Sequence, residues 1–259
     1  MTQLASILDR SPGAGQRRLA RQVLMSASAL GDASGTLKLM SIILASGEFN
    51  ATTYYNSLKH LGILAKKDEN PQAMMLLGKI LLGQQKERDA LVLFRKATRG
   101  SLDFEGAADA LVNIGRILLK DGDKKGAEVI LRKAALELDD PSAYFYLSKT
   151  QAHASPEQKV YLLKAAASGI VEAHHNLGAI ELAWAQEKAG VGKEVPVDYR
   201  MAKEWFEVAA AEGFGLSMLN LALICKATGN IDEGRKWLER AKKVSGLDEI
   251  GVDMQKEFT

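Results

Sequence analysis

Residues 73–100 read AMMLLGKILLG, QQKERD, ALVLFRKATRG, and this stretch decides the fold. Two runs with helical apolar spacing flank a short polar turn, the pattern of a helical hairpin. Small residues mark fixed places in it: Ala73, Gly78 after Leu77, Gly83, Ala90, Ala97 after Lys96, and Gly100. The skeleton returns at Ala110, with Ile114-Gly115, Gly122, Ala127 and Lys133-Ala134. It returns at Ala143, with Leu147-Ser148, Lys164-Ala165 and Gly169. It returns at Ala173, with Leu177-Gly178, Gly190, Ala202, Val208-Ala209 and Gly213. A last copy opens at Ser217, with Leu221-Ala222, Gly229, Gly234, Arg240-Ala241 and Gly246. A degenerate early copy opens at Thr36, with Met40-Ser41, Gly47, Ala51, Lys59 and Gly62.

The opening residues are 37, 37, 33, 30 and 44 positions apart, about the chain two helices and two turns need. Spacing within copies is stricter. Five positions separate each opening small residue from the Gly, Ser or Ala after the Leu, Ile or Met, and seven separate Ala90 from Ala97, Ala127 from Ala134, Ala202 from Ala209 and Gly234 from Ala241. Helix faces must register against each other, whereas loops need not. A glycine inside a helix costs about 1 kcal/mol of propensity, offset where a missing side chain lets two helices approach closely. Gly100, Gly169, Gly213 and Gly246 read as left-handed caps after second helices. Asn70-Pro71, Asp140-Pro141 and Ser155-Pro156 read as helix starts, a capping side chain followed by Pro at the first helical position. The array predicts stacked α-hairpins in a right-handed or mixed superhelix.

Composition excludes much else. The 259 residues carry 34 Lys+Arg against 32 Asp+Glu, a net charge of +2, too balanced to bind nucleic acid by bulk charge alone. One cysteine, Cys225, leaves no disulfide framework or cysteine-rich metal site and suits a reducing compartment. No run approaches the roughly 18 consecutive apolar residues of a membrane span. Residues 1–21 hold Arg10, Arg17, Arg18 and Arg21 against Asp9 alone. They read as a surface helix capping the array or as a transit-peptide-like segment.

The copies then carry a family resemblance. Lys96-Ala97 to Gly100, Lys133-Ala134-Ala135, Lys164-Ala165-Ala166 to Gly169 and Val208-Ala209-Ala210 to Gly213 resemble the KAAxxG end of a SEL-one-like repeat. The copy from Ala173 is the fullest match: Leu177-Gly178, Gly190-Val191-Gly192, Asp198, Ala202-Lys203, Trp205-Phe206 and Ala209-Ala210 resemble the family's AxxxLG helix, its GxGV loop and its DxxKAxxWYxKAAxxG helix. The resemblance covers about 71–246 well and 36–62 poorly. The family's aromatic after LG is absent from every copy; Leu81, Leu118, Gln151, Glu181 and Cys225 stand there. Being related to tetratricopeptide repeats, the family implies an all-α fold, a right-handed α-solenoid of five to six helix-turn-helix repeats. It also implies a non-catalytic, cofactor-free scaffold or adaptor whose concave groove holds a partner protein or peptide.

The candidate groove residues follow from the same register. Directly after the small residue stand Lys79, Arg116 and Lys149 in three consecutive copies; two before it stand Asn113, Tyr146, Asn176 and Asn220. Cations beside a row of Asn would suit an acidic or carboxylate-ended peptide, since a carboxamide both donates to and accepts from an extended backbone. The competing reading of each cation is solvated helix surface. His175 is read as facing the groove. It and His174 are adjacent on a helix, about 100° apart, and cannot chelate one metal together. Gly190-Val191-Gly192 lacks the preceding strand of a phosphate loop. Phe94, Trp205 and Trp237 read as one aromatic phase in the hairpin core.

These readings divide the chain into a basic segment and capping helix over 1–31, the repeat array over 32–247 and a tail over 248–259. They predict a protein-binding scaffold in the cytoplasm or mitochondrial matrix, such as an assembly factor, able to oligomerise through its ends. The alternative is an RNA-binding helical-repeat protein, against which the uneven steps and near-neutral charge argue.

Overall fold

The computed structural model describes residues 7, 13–190 and 197–244. Gly192, Gly246 and the tail over 248–259 lie outside the described residues, as does most of the basic segment before residue 13. Among the described residues the elements are helical throughout: α1 (Ala14–Ala29), α2 (Ala33–Ser46), α3 (Tyr55–Lys66), α4 (Pro71–Gly83), α5 (Glu87–Ala97), α6 (Ala107–Lys120), α7 (Lys124–Glu137), α8 (Pro141–Ser148), α9 (Pro156–Ala167), α10 (Val171–Ala189), α11 (Arg200–Ala211), α12 (Gly215–Ala227) and α13 (Ile231–Ala241). Each opening small residue begins a hairpin, so α2/α3, α4/α5, α6/α7, α8/α9, α10/α11 and α12/α13 are the pairs. The chain forms two compact units, 1–134 and 135–259, that divide within α7.

The small residues lie where close approach demands them. Thr36, Ala73, Ala110, Ala143, Ala173 and Ser217 are all fully buried. A Cβ on Gly78 would lie 2.6 Å from Phe94 Cε1, one on Gly115 2.5 Å from Leu131 Cδ2, and one on Gly178 2.7 Å from Phe206 Cδ1. Each of these glycines is thus the floor under a large side chain of the second helix. That side chain always stands three residues before the later Ala: Phe94, Leu131, Leu162, Phe206 and Leu238, each 0–1% exposed. Trp205 and Trp237 stand one residue earlier and are only half-buried. This corrects their grouping with Phe94, because one helical residue is a 100° turn.

Helix starts follow local chemistry. Asn70 Oδ1 accepts from the Ala73 N–H (2.9 Å), Asp140 Oδ1 from Ala143 N–H (2.8 Å) and Ser155 Oγ from Gln158 N–H (3.1 Å). In unit 1, α1 packs on α2 through Ala20, Leu24, Leu39 and Ile43. Buried Thr36 donates through Oγ1 towards Ser28 Oγ (2.8 Å) and lies 2.7 Å from His60 Nδ1, tying α1, α2 and α3 together.

Left-handed residues recur at two registers. Four residues before the opening small residue stand Glu69, Gly106, Asp139, Gly169 and Gly213, all with positive φ. Gly100 does not adopt this conformation and caps nothing in this way; Gly106, further along the connection, is left-handed as the N-cap of α6. Gly62 lies inside α3 and caps nothing. The turn between helices of a pair uses Gln85 (φ 64°), Gly122, Ala154 (φ 57°) and Gly229. A left-handed Ala costs about 1–2 kcal/mol, more than the entropy a Gly loses on folding, about 0.5–1 kcal/mol. Ala154→Gly is therefore expected to stabilise unit 2 by about 0.5–1 kcal/mol. Urea denaturation measures it, and a loss of stability would refute the strain.

Candidate partner-binding surface

The first helices of the pairs carry the predicted groove positions, and each unit holds its own set. In unit 1, Lys79 on α4 is half-buried and its Nζ lies 2.8 Å from Asp109 Oδ2 on α6. Asn113, one turn further along α6, donates through Nδ2 to the Asp109 carbonyl (2.8 Å). Its Oδ1 accepts from Arg116 Nη2 (3.1 Å). Lys79, Asp109, Asn113 and Arg116 thus form one polar chain across α4 and α6. Asn113 is used at both ends. Arg116 is exposed and makes no ion pair among the described residues.

In unit 2, Lys149 caps α8, with its Nζ 4.4 Å from the centre of the Phe145 ring and 5.0 Å from that of Tyr146. The residue is exposed overall, but its ammonium lies against two rings. Desolvation pulls it below the usual lysine value, and the Glu172 carboxylate on α10 counters this. His175 is half-buried: its Nδ1 shares a 2.9 Å hydrogen bond with Ser217 Oγ on α12, and its ring lies 5.5 Å from Phe206 and 4.9 Å from Phe214. The histidine therefore joins α10 to α12 and has only part of its ring for a partner. Asn176 and Asn220 occupy equivalent positions on those two helices. Both are half-buried, and neither carboxamide has a hydrogen-bond partner among the described residues.

Two participants were not picked out from the sequence. Asp109 and Glu172 each stand one residue before an opening small residue, and each faces the cation that follows the small residue of the preceding copy. The signal was present as the repeated spacing of the two, but it is a contact between copies. Such half-exposed pairs contribute at most about 1 kcal/mol. His174 is used locally, its Nδ1 3.1 Å from the Ile170 carbonyl and its ring 5.7 Å from Trp205. Among the described residues no cluster of three or more His, Cys, Asp or Glu side chains could hold a metal, and no helix is long and apolar enough to cross a membrane.

These features define the class. The tetratricopeptide repeat profile matches residues 108–138 and 217–246. Among solved structures, c5321, a protective antigen present in uropathogenic Escherichia coli strains displaying an SLR fold, is similar with a TM-score of 0.76 at 22% identity, over 99% of this chain and 56% of that one. A Sel1 repeat protein from Oxalobacter formigenes gives 0.58 at 18% identity, over 82% of this chain and 86% of that one. The APC/C hetero-tetramer Cut9–Hcn1 gives 0.54 at 15% identity, over 94% and 49%. The chain thus spans only about half the length of the first and third of these. No curated protein sequence matches it significantly. The chain is an all-α helical-repeat solenoid with the fold of the SEL-one-like and tetratricopeptide-like arrays.

Proposed function

We propose that the protein is a non-catalytic scaffold or adaptor that holds a partner protein or peptide along the first helices of its repeats. The observation that carries this reading is the pair Asn176 and Asn220. Two half-buried carboxamides without a hydrogen-bond partner among the described residues stand at equivalent positions of two first helices, and each offers one acceptor and two donors. An extended peptide backbone alternates the same groups. Lys149 beside Tyr146 adds to this set in unit 2 a cation suited to acidic side chains or a terminal carboxylate, and Arg116 gives unit 1 a cation of its own. The similarity to a chain of the Cut9–Hcn1 hetero-tetramer supports a protein as the partner, and assembly of a larger complex as a use. The single thiol, buried at Cys225, suits a reducing compartment such as the cytoplasm or mitochondrial matrix.

Affinity purification with mass spectrometry tests it, using the wild-type chain, an Asn176→Ala/Asn220→Ala variant and Arg116→Glu. A protein recovered by the wild type should fall at least tenfold with the double variant, about 1.4 kcal/mol. Its recovery should also weaken with salt and with Arg116→Glu. Recovery unchanged by either variant would defeat the groove, and recovery of RNA in place of protein would defeat the scaffold.

A further inference from the structure

The outer face of the second helices in unit 1 carries a pattern that packing does not require. Counted back from Ala97 on α5 and from Ala134 on α7, like side chains stand at like places. Nine residues before are Arg88 and Lys125, five before are Val92 and Val129, two before are Arg95 and Arg132, and one before are Lys96 and Lys133. Both valines are exposed, by 54% and 68%. The buried residues of the hairpins recur in the later copies, but this pattern stops. Counted in the same way, Pro156 and Val160 hold the first two places on α9, and Arg200 and Glu204 hold them on α11. What repeats only here serves something other than the fold.

The charges of α5 are uncommitted. Arg88, Arg95 and Lys96 are exposed, and their side chains make no hydrogen bond or ion pair among the described residues. Arg99, just past the helix, is in the same state. Glu87 cannot offset them, because Lys120 Nζ on α6 holds its carboxylate at 2.7 Å. Asp89 is the one acid exposed on α5. The solvent side of the helix therefore presents three free cations against one carboxylate, and Arg99 adds a fourth. On α7, Arg132 is held by Glu128 (2.9 Å) and adds nothing, but Lys125 and Lys133 have no side-chain partner among the described residues. The second helix repeats the surface in weaker form.

We propose that this outer face docks an acidic amphipathic helix of a partner protein, with α5 as its main contact. Arg88, Val92 and Arg95 lie within about 60° of one another around α5, and the two arginines are about 10 Å apart along it. A helix laid alongside reproduces that spacing: an acid, an apolar residue one turn on, and an acid one turn further. An extended chain repeats each face every roughly 7 Å and falls between the arginines. Each guanidinium can take a carboxylate through two parallel hydrogen bonds. The valine decides between kinds of anion. Its side chain is shorter than the arginines on either side, so a flat bilayer or a phosphate backbone would touch the guanidiniums and leave it uncovered. An apolar side chain between two acids reaches it. Phe94, the one aromatic residue of α5 and α7, is fully buried, so neither helix offers a base a ring to stack on. The inference does not depend on the groove. It rests on the second helices of unit 1, whereas the Asn176–Asn220 pair rests on first helices of unit 2.

The experiment uses the full chain and a fluorescein-labelled helical peptide with leucine along one face and glutamate on both sides of it. A proline-broken version of the peptide, a single-stranded oligonucleotide and phosphatidylserine vesicles are compared with it, by anisotropy at low and at physiological salt. The intact peptide should bind best and weaken with salt. Arg88→Glu/Arg95→Glu should lower its affinity about tenfold, and Val92→Ser about threefold. These exposed changes should leave the helical circular dichroism intact. Lys66→Glu/Lys67→Glu makes the same change of charge at exposed positions at the end of α3. It should leave binding unchanged, as should Asn176→Ala/Asn220→Ala. Absence of binding at low salt, an equal loss with Lys66→Glu/Lys67→Glu, undiminished binding of the proline-broken peptide, or tighter binding of the oligonucleotide or vesicles would each overturn the proposal.

Discussion

Phe206→Ala is expected to lower stability by about 3–5 kcal/mol, the largest effect of any single truncation here. The ring is 0% exposed and lies on Gly178, so nothing on α10 can grow into the space it vacates. Helices whose buried residues include Ala173, Leu177, Ala202 and Ala209 cannot easily close the gap. The opposite change is instructive. Gly178→Ala adds a methyl 2.7 Å from Phe206 Cδ1. That overpacking costs about 1–3 kcal/mol, and the gain in helix propensity returns about 1 kcal/mol. Gly178→Ala combined with Phe206→Leu should cost less than the two changes summed. The last copy already carries that solution, with Ala222 and Leu238 buried in one cluster. A double-mutant cycle in urea measures the coupling. Strict additivity, or a Phe206→Ala loss below about 1 kcal/mol, would mean that the ring is not what holds α10 to α11. Copies in a repeat array can unfold separately, so amide exchange in α10 and α11 should accompany the denaturation curves.

That pair also shows how far the sequence could be read. Glycine at the fifth position after an opening Ala announces a helix crossing, because little else explains its cost inside a helix. What it supports was legible only in part. The buried large residue keeps a constant offset of three from the later Ala, yet the bulk of Trp205 and Trp237 draws the eye one residue aside. Left-handed turns were legible where they are glycine, as at Gly169 and Gly213. They were hidden at Glu69, Gln85, Asp139 and Ala154, where an ordinary side chain is held in an unfavourable conformation by the hairpins on either side. No local pattern records that, because the cause is tertiary.

The candidate surface divides along the same line. Asn176 and Asn220 could be found by counting, since equivalence within the repeat places them. The fate of the cations could not. Lys79 meets Asp109, and Lys149 feels Glu172, across the step from one hairpin to the next. The offset between the two partners depends on how successive hairpins stack, which the spacing within a copy does not contain. The +2 charge of the chain therefore says little about any one face, because some of its cations are used between copies.

His175→Ala is expected to cost about 2–4 kcal/mol, from a cavity beside Phe206 and Phe214 and from a Ser217 hydroxyl left without its partner in a fully buried position. The wild-type residue also makes stability depend on pH, and the sign follows from its burial. Desolvation disfavours the charged ring and lowers the folded-state pKa beneath the unfolded value of 6.5. At higher pH both states are neutral there and the full stability is present. As pH falls through 6.5 the unfolded chain takes up a proton that the folded chain refuses, so stability declines until the folded pKa is reached. The decline must be read as a difference between wild type and His175→Gln, because the chain holds three other histidines. Urea unfolding on either side of about pH 6.5 should show a steeper acid loss in the wild type. Equal slopes would mean that His175 is solvated in solution and that the α10–α12 contact does not depend on it. A steeper wild-type slope together with a large His175→Ala loss would make the histidine a strut beneath Asn176 and Asn220. Peptide binding at those carboxamides should then weaken at acid pH in parallel with stability.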